Sequence, residues 1–211
     1  MSDKMQNLIT RTITGVIFVA AVVASFLRPE AMILFFALIT GLTVWEFTGI
    51  ANGIANVSVN RFITTIAGVY LFVAMATYCA GIVPPAVFIP YLLTLVYLFI
   101  SELYAKAPNP VNDWAYTMLS QMYIALPLSM INVLAFRSVG DMVYYGHLLP
   151  LSIFIFLWTN DTGAYCSGSL FGKHKLFPRV SPGKSWEGSI GGGLLVLVVA
   201  ALVGVYESST A

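Results

Sequence analysis

Charge is what this sequence has least of: only 9% of its 211 residues are Asp, Glu, Lys or Arg, against about 25% in soluble domains. So few charges exclude a water-soluble globule of this length. Ten basic residues are offset by nine acidic ones, and the net charge of +1 excludes any general attraction to nucleic acid. Cys79 and Cys166, the two cysteines, exclude a disulfide framework and read as reduced thiols. The two histidines, His147 and His174, stand far apart, so no His/Cys cluster fits zinc or haem. There is no internal repeat, and no residue order that supports a Ser-His-Asp triad.

What is abundant is apolar. Hydrophobic residues make up 59% of the chain and the mean hydropathy is +0.87. Apolar runs cover 13–27, 31–51, 62–83, 86–101, 114–136, 143–159 and 190–206, and a membrane-spanning helix needs about 20 such residues. The expected fold is therefore all-α, a polytopic integral membrane protein with about seven transmembrane helices. It reads as a single membrane domain: N-terminal helices in 1–83, middle helices in 84–159, a polar loop in 160–188 and a last helix in 189–211. Arg28-Pro29, Asn52-Gly53, Pro84-Pro85, Pro108-Asn109-Pro110 and Gly140-Asp141 predict the breaks between runs. Pro90 and Pro150 fall inside the short fourth and sixth runs, predicting a kink, a tilt or a re-entrant course there.

Basic residues fix an orientation, because Lys and Arg concentrate on the cytoplasmic side. With the N-terminus inside, that side holds Lys4, Arg11, Arg61, Lys106, Lys173, Lys175, Arg179 and Lys184, and the other holds only Arg28 and Arg137. The Asn-x-Ser/Thr triplets at Asn56 and Asn160 then face the cytoplasm and are not glycosylated. The first run has the outline of a signal peptide, with Val22-Val23-Ala24 as a cleavage site, but an ordinary first span explains the same residues. Trp45, Trp114, Trp158 and Trp186 lie near run ends and read as interfacial anchors. Glu46 and Glu102, near predicted inner ends, read as solvated structural residues, and His147 as structural.

The segment 160–188 breaks the composition. Lys173, Lys175, Arg179 and Lys184 crowd into twelve residues, among glycines at 163, 168, 172, 183 and 188. Cations plus freely exposed backbone amides suggest a polyphosphate site, with the glycines allowing close approach. A loop that merely fixes topology explains the lysines, but not Asp161 or the glycine density. Asp161 follows the apolar run 154–158, where a bare carboxylate is costly. It reads as a magnesium ligand or as the partner of Lys173 or Lys175 in an ion pair. Glu187 reads as a second metal ligand or as a partner for Lys184. Ser181-Pro182 has the form of a helix start, serine at the cap and proline at the first position, predicting an anion site at that helix end. A P-loop is excluded, because position 178 is Pro178 and no strand precedes it. His174 reads as an anion donor or surface residue, since a phosphate monoester nucleophile, with a second pKa of about 6, needs little help from a base.

In this segment the chain resembles the phosphatidate cytidylyltransferase family, also called CDP-diacylglycerol synthases, of bacterial inner membranes. The residues that carry the likeness are Asp161-Thr162-Gly163-Ala164-Tyr165, Gly168, Phe171-Gly172-Lys173-His174-Lys175-Leu176, Pro178, Ser181-Pro182, Lys184 and Trp186-Glu187-Gly188. Arg11 to Gly15 and Trp45-Glu46-Phe47 resemble the family's more variable N-terminal half. Gly183, Ser185 and Ser169 stand where the family more often has lysine, threonine and arginine, so the basic cluster is thinner. Family members continue into another polar loop and a final helix; against them this chain resembles a member cut after its seventh span, and is expected to bind nucleotide weakly and make no product alone.

The resemblance implies transfer of CMP from CTP to phosphatidic acid, giving CDP-diacylglycerol and pyrophosphate with Mg2+ as cofactor, at the inner membrane. It implies Asp161, Lys173 and Lys184 as catalytic residues, with Asp161 and, less strongly, Glu187 on the metal. Lys175, Arg179, Ser181, Ser185, His174 and the backbone at Gly163, Gly168 and Gly172 would bind substrate phosphates. The partners are then CTP, phosphatidic acid and membrane lipid, without nucleic acid; nothing opposes a homo-oligomer. Two rivals are a CTP-dependent lipid kinase acting on a polyprenol or phytol, and a non-catalytic membrane transport or subunit protein.

Overall fold

The computed structural model describes residues 3–210, the side chains of 3–5, 7, 8, 11 and 207–210 excepted; Lys4 and Arg11 of the orientation argument thus lie outside the described side chains. The chain forms two compact units, Met1–His147 and Leu148–Ala211.

In the first unit α1 (Asp3–Phe26) and α2 (Pro29–Ala51) are separated at Arg28-Pro29, with Pro29 in the first turn of α2. There its missing N–H costs nothing. Across the next turn the Asn52 side chain bonds both backbone groups of Val59, at 2.9 and 2.7 Å. Asn60 caps α3 (Arg61–Cys79) by accepting from the Ile63 N–H at 3.1 Å. Pro84-Pro85 interrupts the helices as expected: a 3-10 turn (Pro85–Phe88) leads into α4 (Ile89–Ala105). Pro90 and Pro150 both sit in the first turn of a helix, so of the kink, tilt or re-entrant course expected there, the kink is absent.

Asn109 caps α5 (Pro110–Ser120), which passes through a π-helical stretch (Gln121–Ala125) into α6 (Leu126–Ala135). Pro127 has no N–H for the carbonyl one turn back, and the wider π turn relieves that mismatch. The same turn aims the fully buried Gln121 at α3, where its amide donates to the Thr64 carbonyl at 3.0 Å. Around it Val44, Ala67, Leu71, Tyr91, Ile124 and Ala125 form the core. Small residues and a few satisfied polar groups pack these helices, as inside membranes, where lipid is as apolar as leucine.

The run 143–159 is not one helix. Phe136–Val139 (β1) and Met142–Tyr145 (β2) form an antiparallel hairpin across the predicted Gly140-Asp141 turn, with Gly140 at a φ of 60°. The β-branched and aromatic residues of Met142–Tyr145 pair with β1 rather than extend a helix. Glu102 also departs from expectation. It is buried beside Asp113, whose fully buried carboxylate accepts from the Ser58 N–H at 2.6 Å. Arg61 lies across α2, its guanidinium 4.1 Å from the Trp45 ring centroid and donating to the Trp45 carbonyl at 2.8 Å. Gly49 makes room for it: a Cβ there would meet Nη2 at 2.7 Å.

The second unit is a helical hairpin, α7 (Leu148–Phe171) and α8 (Trp186–Thr210), joined through the short strands β3 (Lys175–Phe177) and β4 (Ser181–Ser185). Among the described residues five helical stretches are long and apolar enough to cross a membrane: Pro29–Ala51, Arg61–Cys79, Pro85–Ala105, Pro110–Ala135 and Trp186–Tyr206. The apolar part of α1, Thr12–Phe26, is shorter, and α7, though 24 residues long, spends its C-terminal half on polar residues, so two of the seven expected spans are not among those long and apolar enough to cross.

Candidate active site

The polar segment does not begin as a loop. Residues 160–171 continue α7, and their side chains fall into stripes. Asn160, Asp161, Ala164, Tyr165, Gly168 and Ser169 repeat at the helical spacing and form one wall of an open pocket of about 410 Å3. Gly183, Lys184 and Ser185 of β4, with Gly188 and Ser189 of α8, form the other.

Four glycines set the distance between these walls. A Cβ at Gly163 would meet the Gly192 Cα at 3.1 Å; one at Gly188 would meet the Ala164 carbonyl at 2.8 Å and the Gly168 Cα at 3.2 Å; one at Gly192 would meet the Asn160 carbonyl at 2.8 Å. The glycines read from sequence as ligand-approach positions thus bring two backbones together, the small-residue packing of membrane helices. Gly168 does both, since it also lines the pocket. Gly163 is buried in the contact, and Gly172 follows the end of α7.

Ser181-Pro182 does not start the last helix. Both residues belong to β4, where Phe177 pairs with Ser181 and Lys175 with Ser185. Proline is tolerated on such an edge, where no ladder hydrogen bond is asked of its nitrogen. The cap is Ser185, whose hydroxyl accepts from the Gly188 N–H at 3.2 Å. The open end of α8 is therefore beside Lys184, four residues later than expected, and inside the pocket wall.

Of the predicted site residues, the pocket gathers Asp161, Gly168, Lys184 and Ser185. Lys173, His174, Lys175 and Arg179 are exposed on the hairpin and its approach, outside the lining. Asp161 pairs with neither Lys173 nor Lys175: among the described residues its exposed carboxylate makes no hydrogen bond or ion pair. Glu187 does not meet Lys184; it accepts from the backbone N–H of His174 at 3.2 and 3.3 Å and contacts its Nδ1 at 2.6 Å. Tyr165, Ser169 and Ser189 were missed from sequence. The signal was their helical spacing from Asp161 and Ser185, hidden while the segment was read as loop.

A metal here would rest on Asp161. Among the described residues no three His, Cys, Asp or Glu side chains gather into a site. Magnesium asks for less, being held commonly by one or two carboxylates plus phosphate oxygens and water. One unpartnered carboxylate in a pocket with room for phosphates fits that pattern.

The model of the cytidylyltransferase family matches residues 9–211. The chain belongs to that family. It is 32% identical to a phosphatidate cytidylyltransferase of Haemophilus influenzae over 215 residues, covering 95% of this chain and 74% of that protein. It is 28% identical to that of Staphylococcus aureus strain COL over 195 residues and 29% to that of Staphylococcus haemolyticus over 190, in each case 90% of this chain and 69% of the relative. As a cytidylyltransferase-family chain with five helical stretches, among the described residues, long and apolar enough to cross a membrane, it is an integral membrane protein.

Proposed function

We propose that this protein transfers CMP from CTP to phosphatidic acid, forming CDP-diacylglycerol and releasing pyrophosphate. The observation that carries the reading is the meeting of Asp161 and Lys184 across one pocket, in a chain whose relatives are named for this reaction. A phosphate oxygen of the lipid attacks the α-phosphorus of CTP, and the bond from that phosphorus to the departing pyrophosphate breaks. The attacking phosphate is largely ionised near neutral pH, so no base is required, and among the described residues none stands in the pocket besides Asp161. What the protein must do is align two anions and offset their charge. Lys184 and the Ser185-capped helix end face the phosphates, and Lys173, Lys175 and Arg179 on the hairpin raise the positive potential at the entrance. Asp161 would hold magnesium, which when bound neutralises charge on the nucleotide phosphates.

Because Asp161 and Lys184 meet within this chain, we expect activity from the purified protein, against the lack of product that its likeness to a shortened family member suggested: CTP labelled at the α-phosphorus should place label in the lipid, and CTP labelled at the γ-phosphorus should place it in pyrophosphate. Lipid labelled from the γ-phosphate would instead mean a kinase, and no transfer would remove the reading altogether.

The proposed reaction draws CTP from the cytoplasm, so the hairpin faces inward and the protein sits in the bacterial inner membrane. Val180 is 82% exposed, and Val180→Cys in a background lacking Cys79 and Cys166 reports that face. A membrane-impermeant maleimide should label it only after intact cells are opened; labelling of intact cells at the rate of an external control contradicts the orientation.

A further inference from the structure

Among the described residues of the second unit, His174 and Glu187 are the most closely joined pair of polar side chains, and neither lines the pocket. The Glu187 carboxylate receives the backbone N–H of His174 at 3.2 and 3.3 Å and its Nδ1 at 2.6 Å. In return the His174 carbonyl accepts from the Trp186 N–H at 2.9 Å. An ionised carboxylate only accepts, so Nδ1 carries the hydrogen. These contacts close the stretch between His174 and Trp186 into a loop with one fixed neck.

The loop has little else to hold it. β3 and β4 are short, their register shifts between Lys175 and Phe177, and an isolated two-stranded ladder is marginal in water. Lys173, Lys175, Phe177, Arg179, Val180 and Lys184 are all exposed. Lys184 reaches the pocket from this loop, one residue before the Ser185 cap. Its backbone is held by the buried Ser185 cap beside it and, beyond that, by the neck. Glu187 is well placed to hold that neck. In the first turn of α8 its charge also offsets the helix end, and charge-assisted hydrogen bonds are the strong ones.

We propose that His174 and Glu187 form a clasp that positions Lys184 opposite Asp161, acting through the loop rather than as phosphate donor and metal ligand. The proposal rests on the function argued above and can fail separately from it.

The test compares the full chain in detergent with His174→Ala, Glu187→Ala, the double variant and His174→Asn, whose amide can donate from near the Nδ1 position. The first readout needs no activity: the rate of tryptic cleavage after Lys175 and Arg179, followed by mass spectrometry. Each alanine variant should be cut about tenfold faster, from loss of a charge-assisted hydrogen bond, and His174→Asn should recover much of the protection. The second readout is CDP-lipid formation. Each alanine variant should lose about tenfold or more in kcat/KM for CTP, the cost of a misplaced group. The double variant should be no worse than the poorer single one, because both remove the same contact, and the magnesium concentration for half-maximal rate should not move. Unchanged cleavage rates overturn the clasp. So does a magnesium requirement shifted by Glu187→Ala alone, which makes Glu187 a ligand, or losses that multiply in the double variant. If the unaltered protein forms no CDP-lipid, the functional reading fails and cleavage alone decides the clasp.

Discussion

Asp161→Asn is expected to lower CDP-lipid formation by at least about a hundredfold while the protein stays folded, the scale on which a single charge-stabilising group counts in a transition state. The amide keeps the size and loses the charge. Because the carboxylate is exposed on the pocket wall and makes no bond within the described protein, nothing in the fold depends on it, and the melting temperature in detergent should be unchanged. Turnover at saturating magnesium is the deciding measurement. Near-normal turnover would reduce Asp161 to a helix-surface residue; a large fall in melting temperature would show a structural partnership that the geometry does not contain.

The second large effect comes from a pair of neighbouring glycines with opposite expected signs. At Gly192 an added Cβ would meet the backbone and side-chain oxygens of Asn160 at 2.8 Å; at Gly193 nothing lies within 4 Å. Gly192→Ala must push α7 and α8 apart, an overpacking cost of about 1–3 kcal/mol, and it moves the pocket walls with them. Gly193→Ala should instead gain about 0.5–1 kcal/mol, because alanine loses less backbone freedom on entering a helix. Thermal unfolding of both in one detergent tests the contrast. Equal shifts in the same direction would mean that helix propensity, not contact, governs this stretch.

How far the sequence could be read follows from which interactions were local. Helix ends at Arg28-Pro29, Asn52 and Asn109 were legible because proline and asparagine act on their own backbone. The membrane character was legible from the apolar runs, and Asp161 and Lys184 from a charge density that the rest of the chain lacks. What misled was decided by contacts distant in sequence. Gly163 and Gly168 count as helix breakers until a second helix needs their bare surface, so α7 was cut short at Thr159. Ser181-Pro182 is a good local cap that lost to pairing with Lys175–Phe177. Glu187 had two candidate partners in sequence, and folding gave it a third, His174.

Arg61 and Trp45 have a further consequence for the lipid around the first unit. Stacked together toward the C-terminal end of α2, with room supplied by Gly49, they offer one height at which headgroups could meet the protein, while Arg28 precedes the other end. The stretch from Pro29 to Trp45 rises only about 25 Å at 1.5 Å per residue, short of the roughly 30 Å hydrocarbon layer of an ordinary bilayer. An arginine free to swing could reach outward across that gap, but one pinned to an indole and a carbonyl cannot. Were headgroups to settle at that pair, the lipid would have to thin beside α2, although Pro29–Ala51 as a whole is long enough to cross without it.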